Sequence, residues 1–141
     1  MERFFVRDFS LPDYNEVFEL WESLGLSRKE RGDTAEVITN TIENGGKLFL
    51  LIDSQNYKII GTSWLSNDHR RLYLHHFAVK KEYQGQGLSH ILVDESLKFV
   101  KELKLQVKLE VHQSNQKAIN LYKKSGFKFL GDYDVYIVRD V

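Results

Sequence analysis

The sequence predicts a mixed α/β fold in which helices pack on one central sheet. Three observations support this prediction. Residues 13–46 carry apolar side chains at helical spacing, and residues 47–79 change to strand-like patterns. The rest of the chain alternates between the two types, so the predicted order is β-α-α-β-β-β-α-β-α-β-β.

The first six elements are bounded by turn residues. Gly25 stops the first helix, either Asp33 or Thr34 caps the second, and Gly45-Gly46 ends it. The "SQN" stretch joins the next two strands as a hairpin. The predicted bounds are a strand at 3–9, a helix at 13–24, a helix from 34 to 44, and strands at 47–53, 57–65 and 70–79.

The last five elements follow the sequence "QGQGLS". A long helix with one apolar stripe runs from Leu88 to about Leu103. "LQVKLEVH", residues 105–112, alternates cleanly and predicts a strand with Glu110 on its polar face. A short helix at 115–126 ends in glycine, and two closing strands are expected at 127–130 and 133–138.

The composition excludes several classes of protein. The chain has 141 residues, 20 basic and 20 acidic residues, and no cysteine. The absence of cysteine excludes disulfides, thiolate metal sites and a cysteine nucleophile. The balanced charge argues against nucleic acid, the short apolar runs against a membrane span, and the charged first residues against a signal peptide. We therefore expect a cytoplasmic protein without a bound metal, as a monomer or a homodimer.

The stretch "QGQGLS", residues 84–89, places two glycines just before the long helix. Glycines at a helix N-terminus let backbone N–H groups approach a phosphate closely. The stretch is not a P-loop, and His90 stands where a dinucleotide-binding fingerprint needs its third glycine. Taken alone, these glycines are better explained by a tight turn.

A second stretch favours the phosphate interpretation. "NQKAINLYKKSGF", residues 115–127, carries Asn115, Ala118, Tyr122, Gly126 and Phe127 at fixed spacing. Together with "QGQGLS" it resembles the GNAT family, the GCN5-related N-acetyltransferases that use acetyl-CoA. The family's pyrophosphate signature is matched at the first glutamine and the second glycine of "QGQGLS", with serine in place of its last small residue.

The resemblance implies a single GNAT-type domain over residues 1–141. Its mostly antiparallel, twisted sheet would have about seven strands, flanked by about four helices. It also implies acetyl-CoA as co-substrate, with the pantetheine arm added to the fourth strand like another strand. The implied cofactor-binding residues are Phe77, Ala78, Val79, Gln84, Gly85, Gln86, Gly87, Leu88, Ser89 and Asn115.

The resemblance implies an attack of an amine on the thioester, which needs a base and an acid. Tyr122 matches the family's tyrosine that protonates the leaving thiolate, and a buried core aromatic is its alternative. The base stays open among Glu110, His75 and a water chain. Glu110 resembles the glutamate of members that acetylate protein N-termini, and His75 resembles a base histidine of arylalkylamine-type members. His76 is expected on the opposite strand face, so the two histidines are not a metal site.

The acceptor is expected to be a small-molecule or peptide amine. The loop at the rim of the family's substrate cleft is charged here, and its arginines favour a substrate with a carboxylate or phosphate unless the loop is merely solvated. The charged rim residues are Arg28, Lys29, Glu30, Arg31 and Asp33. A module that binds acyl-CoA without catalysis, and a phosphate-binding domain with a coincidental motif, are the competing hypotheses.

Overall fold

The computed structural model describes residues 2–141, apart from the side chain of Lys29. The chain divides into two compact units. The first ends at Glu110, and the second runs from Val111 to Val141. That both units belong to one domain over residues 1–141 stays a prediction.

The first unit is built on one sheet with the strand order β1-β2-β3-β4-β5. Strands β1 to β4 are antiparallel neighbours, and β5 lies parallel to β4. A parallel pair needs a crossover connection, which the long helix α3 (Leu88–Leu103) provides. The strands are β1 (Phe4–Asp8), β2 (Lys47–Asp53), β3 (Lys58–Asn67), β4 (Arg71–Val79) and β5 (Gln106–Leu109).

Helices cover both faces of this sheet. On one face, α1 (Tyr14–Ser23) and α2 (Ala35–Glu43) enclose an apolar core centred on Trp21 and Trp64, whose rings stack 5.3 Å apart. On the other face α3 packs on the sheet, where the Ser63 and Ser96 hydroxyls lie 2.6 Å apart. Because β2 is buried on both faces, it is a nearly continuous apolar run. None of the helices in the described part of the chain is long and apolar enough to cross a membrane.

The second unit contains α4 (Gln116–Lys124) and an irregular C-terminal segment. The closing strands expected at 127–130 and 133–138 do not form, so the sheet has five strands instead of about seven. Apart from the half-buried Phe127, their apolar side chains are exposed, and neither segment pairs with a strand among the described residues. Strand propensity alone does not hold a strand, because its backbone groups need a neighbouring strand. The mixed α/β class and the order of the other elements are confirmed.

Candidate active site

A bulge in β4 brings two adjacent histidines to one pocket. Trp64 on β3 pairs with His75, and Thr62 pairs with Ala78, so β4 has one extra residue between these positions. His76 in the bulge has a φ of 40°. Both imidazoles lie beside Trp64, and both line an open pocket of about 480 Å³. The expectation that His76 faces away from His75 is therefore wrong, because a bulge breaks the two-residue period of a strand.

His75 is held in a polar and aromatic setting. Its Nε2 lies 2.8 Å from the Ser66 hydroxyl, and its ring stacks on Tyr73 with centroids 4.6 Å apart. Burial lowers the pKa of His75, and the neighbouring His76 lowers it further. Burial therefore favours the neutral form of this imidazole.

Glu110 lies on the same pocket, where the hydroxyl of Tyr73 donates a hydrogen bond to its Oε1. Burial, and then this hydrogen bond to a carboxylate, raise the pKa of Tyr73, so the phenol stays protonated. β5 ends at Leu109, so the predicted strand over 105–112 is shorter than expected. Glu110 is exposed just beyond its end, and two candidate bases of the sequence, Glu110 and His75, line one pocket.

His76 forms an ion-pair-type contact that the sequence did not indicate. Its Nε2 lies 2.8 Å from Oδ2 of Asp33, in the loop before α2. The Ser27 hydroxyl donates to the same oxygen, and the Tyr14 hydroxyl donates to the Asp33 carbonyl at 2.8 Å. The imidazole lies edge-on to Trp21 at 4.6 Å. These contacts fix both the ring and the loop.

The glycine turn before α3 is open on its outer side. Gly85 and Gly87 have φ values of 80° and 76°, in the left-handed region that favours glycine. A Cβ built on either would meet no atom within 4 Å. Gly87 is the N-cap of the 16-residue helix α3 and has no side chain to cap it. The His90 N–H bonds to the Gly87 carbonyl at 3.2 Å, and the N–H groups of Leu88 and Ser89 have no acceptor within the helix. The turn therefore combines left-handed backbone with a free helix N-terminus, as an anion site requires.

Side-chain hydrogen bonds hold the turn in place. The Gln84 amide donates to the Val79 carbonyl at 2.8 Å, which ties the turn back to the end of β4. One residue earlier, the Tyr83 hydroxyl donates to Asp53 at 2.7 Å. Asp53 is 1% exposed and also accepts two hydrogen bonds from the Arg3 guanidinium. Its arginine and tyrosine partners lower the pKa of Asp53 to about 2.

Among the described residues, the end of β4 pairs with a strand on one side only. Its pairing with β5 stops at Leu74, opposite Leu109, whereas its pairing with β3 continues to Ala78 and Val79. An extended chain could therefore add to this edge. Phe77 also belongs to this stretch of β4, as the sequence predicted.

The remaining residues of the turn take different positions. Gln84 and Gln86 are exposed beside the two glycines, and Ser89 is half-buried in the first turn of α3. Leu88 is 6% exposed, so its side chain packs in the core and is not available to a ligand.

Two predicted site residues lie in the second unit. Tyr122 is 8% exposed, and its ring meets Phe127 at 5.5 Å. Burial raises the pKa of Tyr122 to about 12. Asn115 caps α4, since its side-chain oxygen accepts from the Ala118 N–H at 3.2 Å. That these two residues join the glycine turn in one site stays a prediction.

The charged residues of the loop between α1 and α2 differ in their exposure. Asp33 is held by the contacts described above, whereas Arg28, Glu30 and Arg31 are exposed. The side chain of Lys29 lies outside the described residues. Leu26 of the same loop lines the histidine pocket, so the loop lies beside the site.

Sequence reasoning missed the pair of Asp33 and His76. The doubled histidine was a signal, but strand alternation assigned only one of the two to the site. The bulge was not predicted, because strand alternation assumes an unbroken two-residue period through His75, His76 and Phe77. The indole N–H of Trp64 was missed as well. Among the described residues it is the one buried polar side-chain atom without a partner, and it belongs to the ring cluster around both histidines.

Comparison with known proteins gives one family. The model described as the acetyltransferase (GNAT) family matches residues 13–127. The probable spermine N(1)-acetyltransferase of Bacillus subtilis subsp. natto (strain BEST195) is 33% identical over 70 residues, which cover 48% of this chain and 46% of that protein. The match thus spans about half the length of this curated relative.

Solved structures show the same fold. An acetyltransferase of the GNAT family from Staphylococcus aureus Mu50 has a TM-score of 0.79 at 21% identity, covering 89% of this chain and 83% of that chain. AAC(6')-Iy, in complex with a bisubstrate analogue of CoA, has a TM-score of 0.78 at 11% identity, with 98% and 99% covered.

Proposed function

Because the chain belongs to the GNAT acetyltransferase family, we propose that it transfers an acetyl group from acetyl-CoA to the primary amine of a small molecule or peptide. The amine attacks the thioester carbonyl directly. The observation that carries the proposal is the glycine turn before α3, which leaves open space in front of a free helix N-terminus.

The residues of this turn fit the pyrophosphate of CoA. The left-handed backbone at Gly85 and Gly87 and the first N–H groups of α3 suit an anion, because they carry partial positive charge without side chains in the way. Gln86 and Ser89 are placed to add polar contacts, and Gln84 orients the turn through the Val79 carbonyl. When bound, acetyl-CoA supplies the activated acetyl group.

The pantetheine arm is proposed to lie along the end of β4. The edge at Ala78 and Val79 offers backbone hydrogen bonds where β5 has already ended. This arrangement would direct the acetyl group toward the histidine pocket at the bulge. In the second unit, Tyr122 is proposed to donate a proton or hydrogen bond to the leaving sulfur. Its buried phenol remains protonated at all physiological pH values.

Two observations bear on the substrate class, and they favour different amines. The curated relative is named for spermine, a polyamine. Arg28 and Arg31 on the exposed loop instead favour an amine that also carries a carboxylate or phosphate. Reversing both charges to glutamate tests this part of the proposal. An unchanged order of preference among the amines would exclude a role for the two arginines.

Release of free thiol from acetyl-CoA tests the function. The protein is incubated with acetyl-CoA and a panel containing spermine, an aminoglycoside, an amino-acid phosphate and a dipeptide. Thiol release that depends on an amine, with the acetylated amine found by mass spectrometry, supports the proposal. Tight CoA binding without release for any amine would instead indicate a binding module, and absence of CoA binding would overturn the assignment of the turn.

A further inference from the structure

We propose that His76, oriented by Asp33, is the catalytic residue that takes the proton from the substrate's ammonium group. The inference rests on the proposed acetyl transfer and assigns the base of that reaction. It starts from the contact of 2.8 Å between His76 Nε2 and Asp33 Oδ2.

The contacts of Asp33 determine which nitrogen of His76 is free. The Ser27 hydroxyl donates to Oδ2 of Asp33, so this oxygen acts as an acceptor. An ionised carboxylate only accepts hydrogen bonds, and Nε2 must therefore carry a proton. A neutral imidazole has a single N–H, which leaves the lone pair of Nδ1 available to receive a proton.

The surroundings hold the ring while leaving it accessible from the pocket. Trp21 and Trp64 lie 4.6 and 5.5 Å from the imidazole, and the Thr62 hydroxyl donates to the His76 carbonyl at 2.7 Å. His76 nevertheless lines the open pocket of about 480 Å³. A ring held by two indoles and by Asp33 that also lines an open pocket is preorganised for proton transfer to a ligand or through one water.

Other titratable groups around the pocket are less suited to this step. Nε2 of His75 is bonded to the Ser66 hydroxyl, which can donate as well as accept, so no carboxylate determines which of its nitrogens carries the proton. Glu110 already accepts a hydrogen bond from Tyr73. From the other elements around His76, α1 contributes Tyr14 through its bond to the Asp33 carbonyl, and β3 contributes indole and hydroxyl groups that do not titrate in this range. Asp33 is the carboxylate in contact with His76, and it favours the charged imidazolium that the reaction forms.

Ser27 does not make this cluster a nucleophilic triad. Its hydroxyl contacts Asp33 and not the imidazole, so His76 does not activate it. Its part is to hold the Asp33 carboxylate in place. Asp33 is likewise a positioning residue, because it acts through His76.

The proton balance of the step is simple. His76 Nδ1 takes one proton from the ammonium, and the neutral amine forms the C–N bond as the C–S bond breaks. The nitrogen then loses its second proton while the sulfur gains one, which gives the amide and the free thiol. One proton per turnover remains on His76 and leaves to solvent.

The test compares two amines of similar shape, with ammonium pKa values near ~10 and near ~7. At pH 8 an amine of the second kind is about nine-tenths neutral and needs no base for its first deprotonation, whereas an amine of the first kind is almost fully charged. We expect His76→Gln to lower kcat/KM by about 100-fold or more for the first amine and by less than about tenfold for the second. The matched control, His75→Gln, should change kcat/KM by the same factor for both amines. Equal losses for both amines in His76→Gln would overturn the proposal.

Asp33→Asn provides a second test, which remains available if the His76→Gln variant does not fold. Loss of the carboxylate removes a charge that favours the imidazolium, so the acidic limb of the kcat/KM profile should move to lower pH. A uniform loss at every pH, with the limb unmoved, would mean that Asp33 only supports the loop and would count against the proposal. Absence of thiol release in the wild-type protein with any amine would refute the proposed function itself, whereas active wild-type protein with an unaltered His76→Gln profile would refute only the role of His76.

Discussion

Substitution of Gly87 by alanine separates the two reasons for a glycine in the turn. One reason is the backbone, since φ is 76° at Gly87, and the other is the open space needed by an anion. Gly25 offers a matched control because its φ is 70° and a Cβ there also meets no atom within 4 Å. Gly25 follows α1 rather than the proposed cofactor site.

The two variants should therefore share one cost and differ in another. A side chain in the left-handed region costs roughly 1–2 kcal/mol, so both variants should lose that much unfolding free energy. In Gly87→Ala the new methyl also enters the space before α3. Loss of one hydrogen bond to a charged phosphate costs about 1.5–3 kcal/mol, which corresponds to a roughly 10- to 150-fold weaker Kd for CoA.

Titration calorimetry with CoA, together with chemical denaturation, measures both quantities. The expected result is equal destabilisation of the two variants, with weakened CoA binding in Gly87→Ala alone. If Gly87→Ala binds CoA as tightly as Gly25→Ala, the glycine is needed only for the turn, and the phosphate assignment is wrong.

Three further predictions concern stability and catalysis. The pKa of Asp53 is lowered to about 2, chiefly by its arginine partner, so its contribution to stability is complete above about pH 4 and is lost as the pH falls toward 2. Acid titration of unfolding should show that loss in the wild type but not in Asp53→Asn, and parallel curves would contradict it. Gly46→Ala should lower the unfolding free energy by about 1–3 kcal/mol in urea denaturation, because the Cβ would press on the Leu65 carbonyl and lie 2.8 Å from the Thr41 carbonyl. Unchanged stability would show that these carbonyls give way. Tyr122→Phe should lower kcat by about 100-fold in the thiol-release assay, and because burial raises the pKa of Tyr122 to about 12, its ionisation should give no basic limb below about pH 10. A kcat equal to that of the wild type would exclude a role for the phenol.

Local sequence signals predicted most of the fold because they act within one element. The apolar stripe and the preceding glycines placed α3 at Leu88–Leu103, as observed. The residue patterns that predict strands gave a wrong prediction at the C-terminus. Residues 133–138 have the composition of a strand, but a strand also requires a partner, and no local pattern reports whether one is present.

The sequence predicted the glycine turn of the candidate site, because the residues that form this turn are adjacent in the chain. It was not predictable where two distant segments meet. Asp33 and His76 are 43 positions apart, and their contact depends on the bulge in β4 and on the path of the loop before α2. Neither feature changes the hydrophobic pattern from which the elements were derived.

The bulge also affects how this chain is compared with its relatives. A chain without the extra residue in β4 would present alternate positions to the pocket, so a gapless alignment would pair His76 with a residue that faces the opposite side of the sheet. Loss of a single codon here would exchange the side chains on the two faces of the strand downstream. Which histidines face the pocket therefore depends on the number of residues in β4 as well as on their type. A single insertion or deletion at this point would change the chemistry of the site in one evolutionary step.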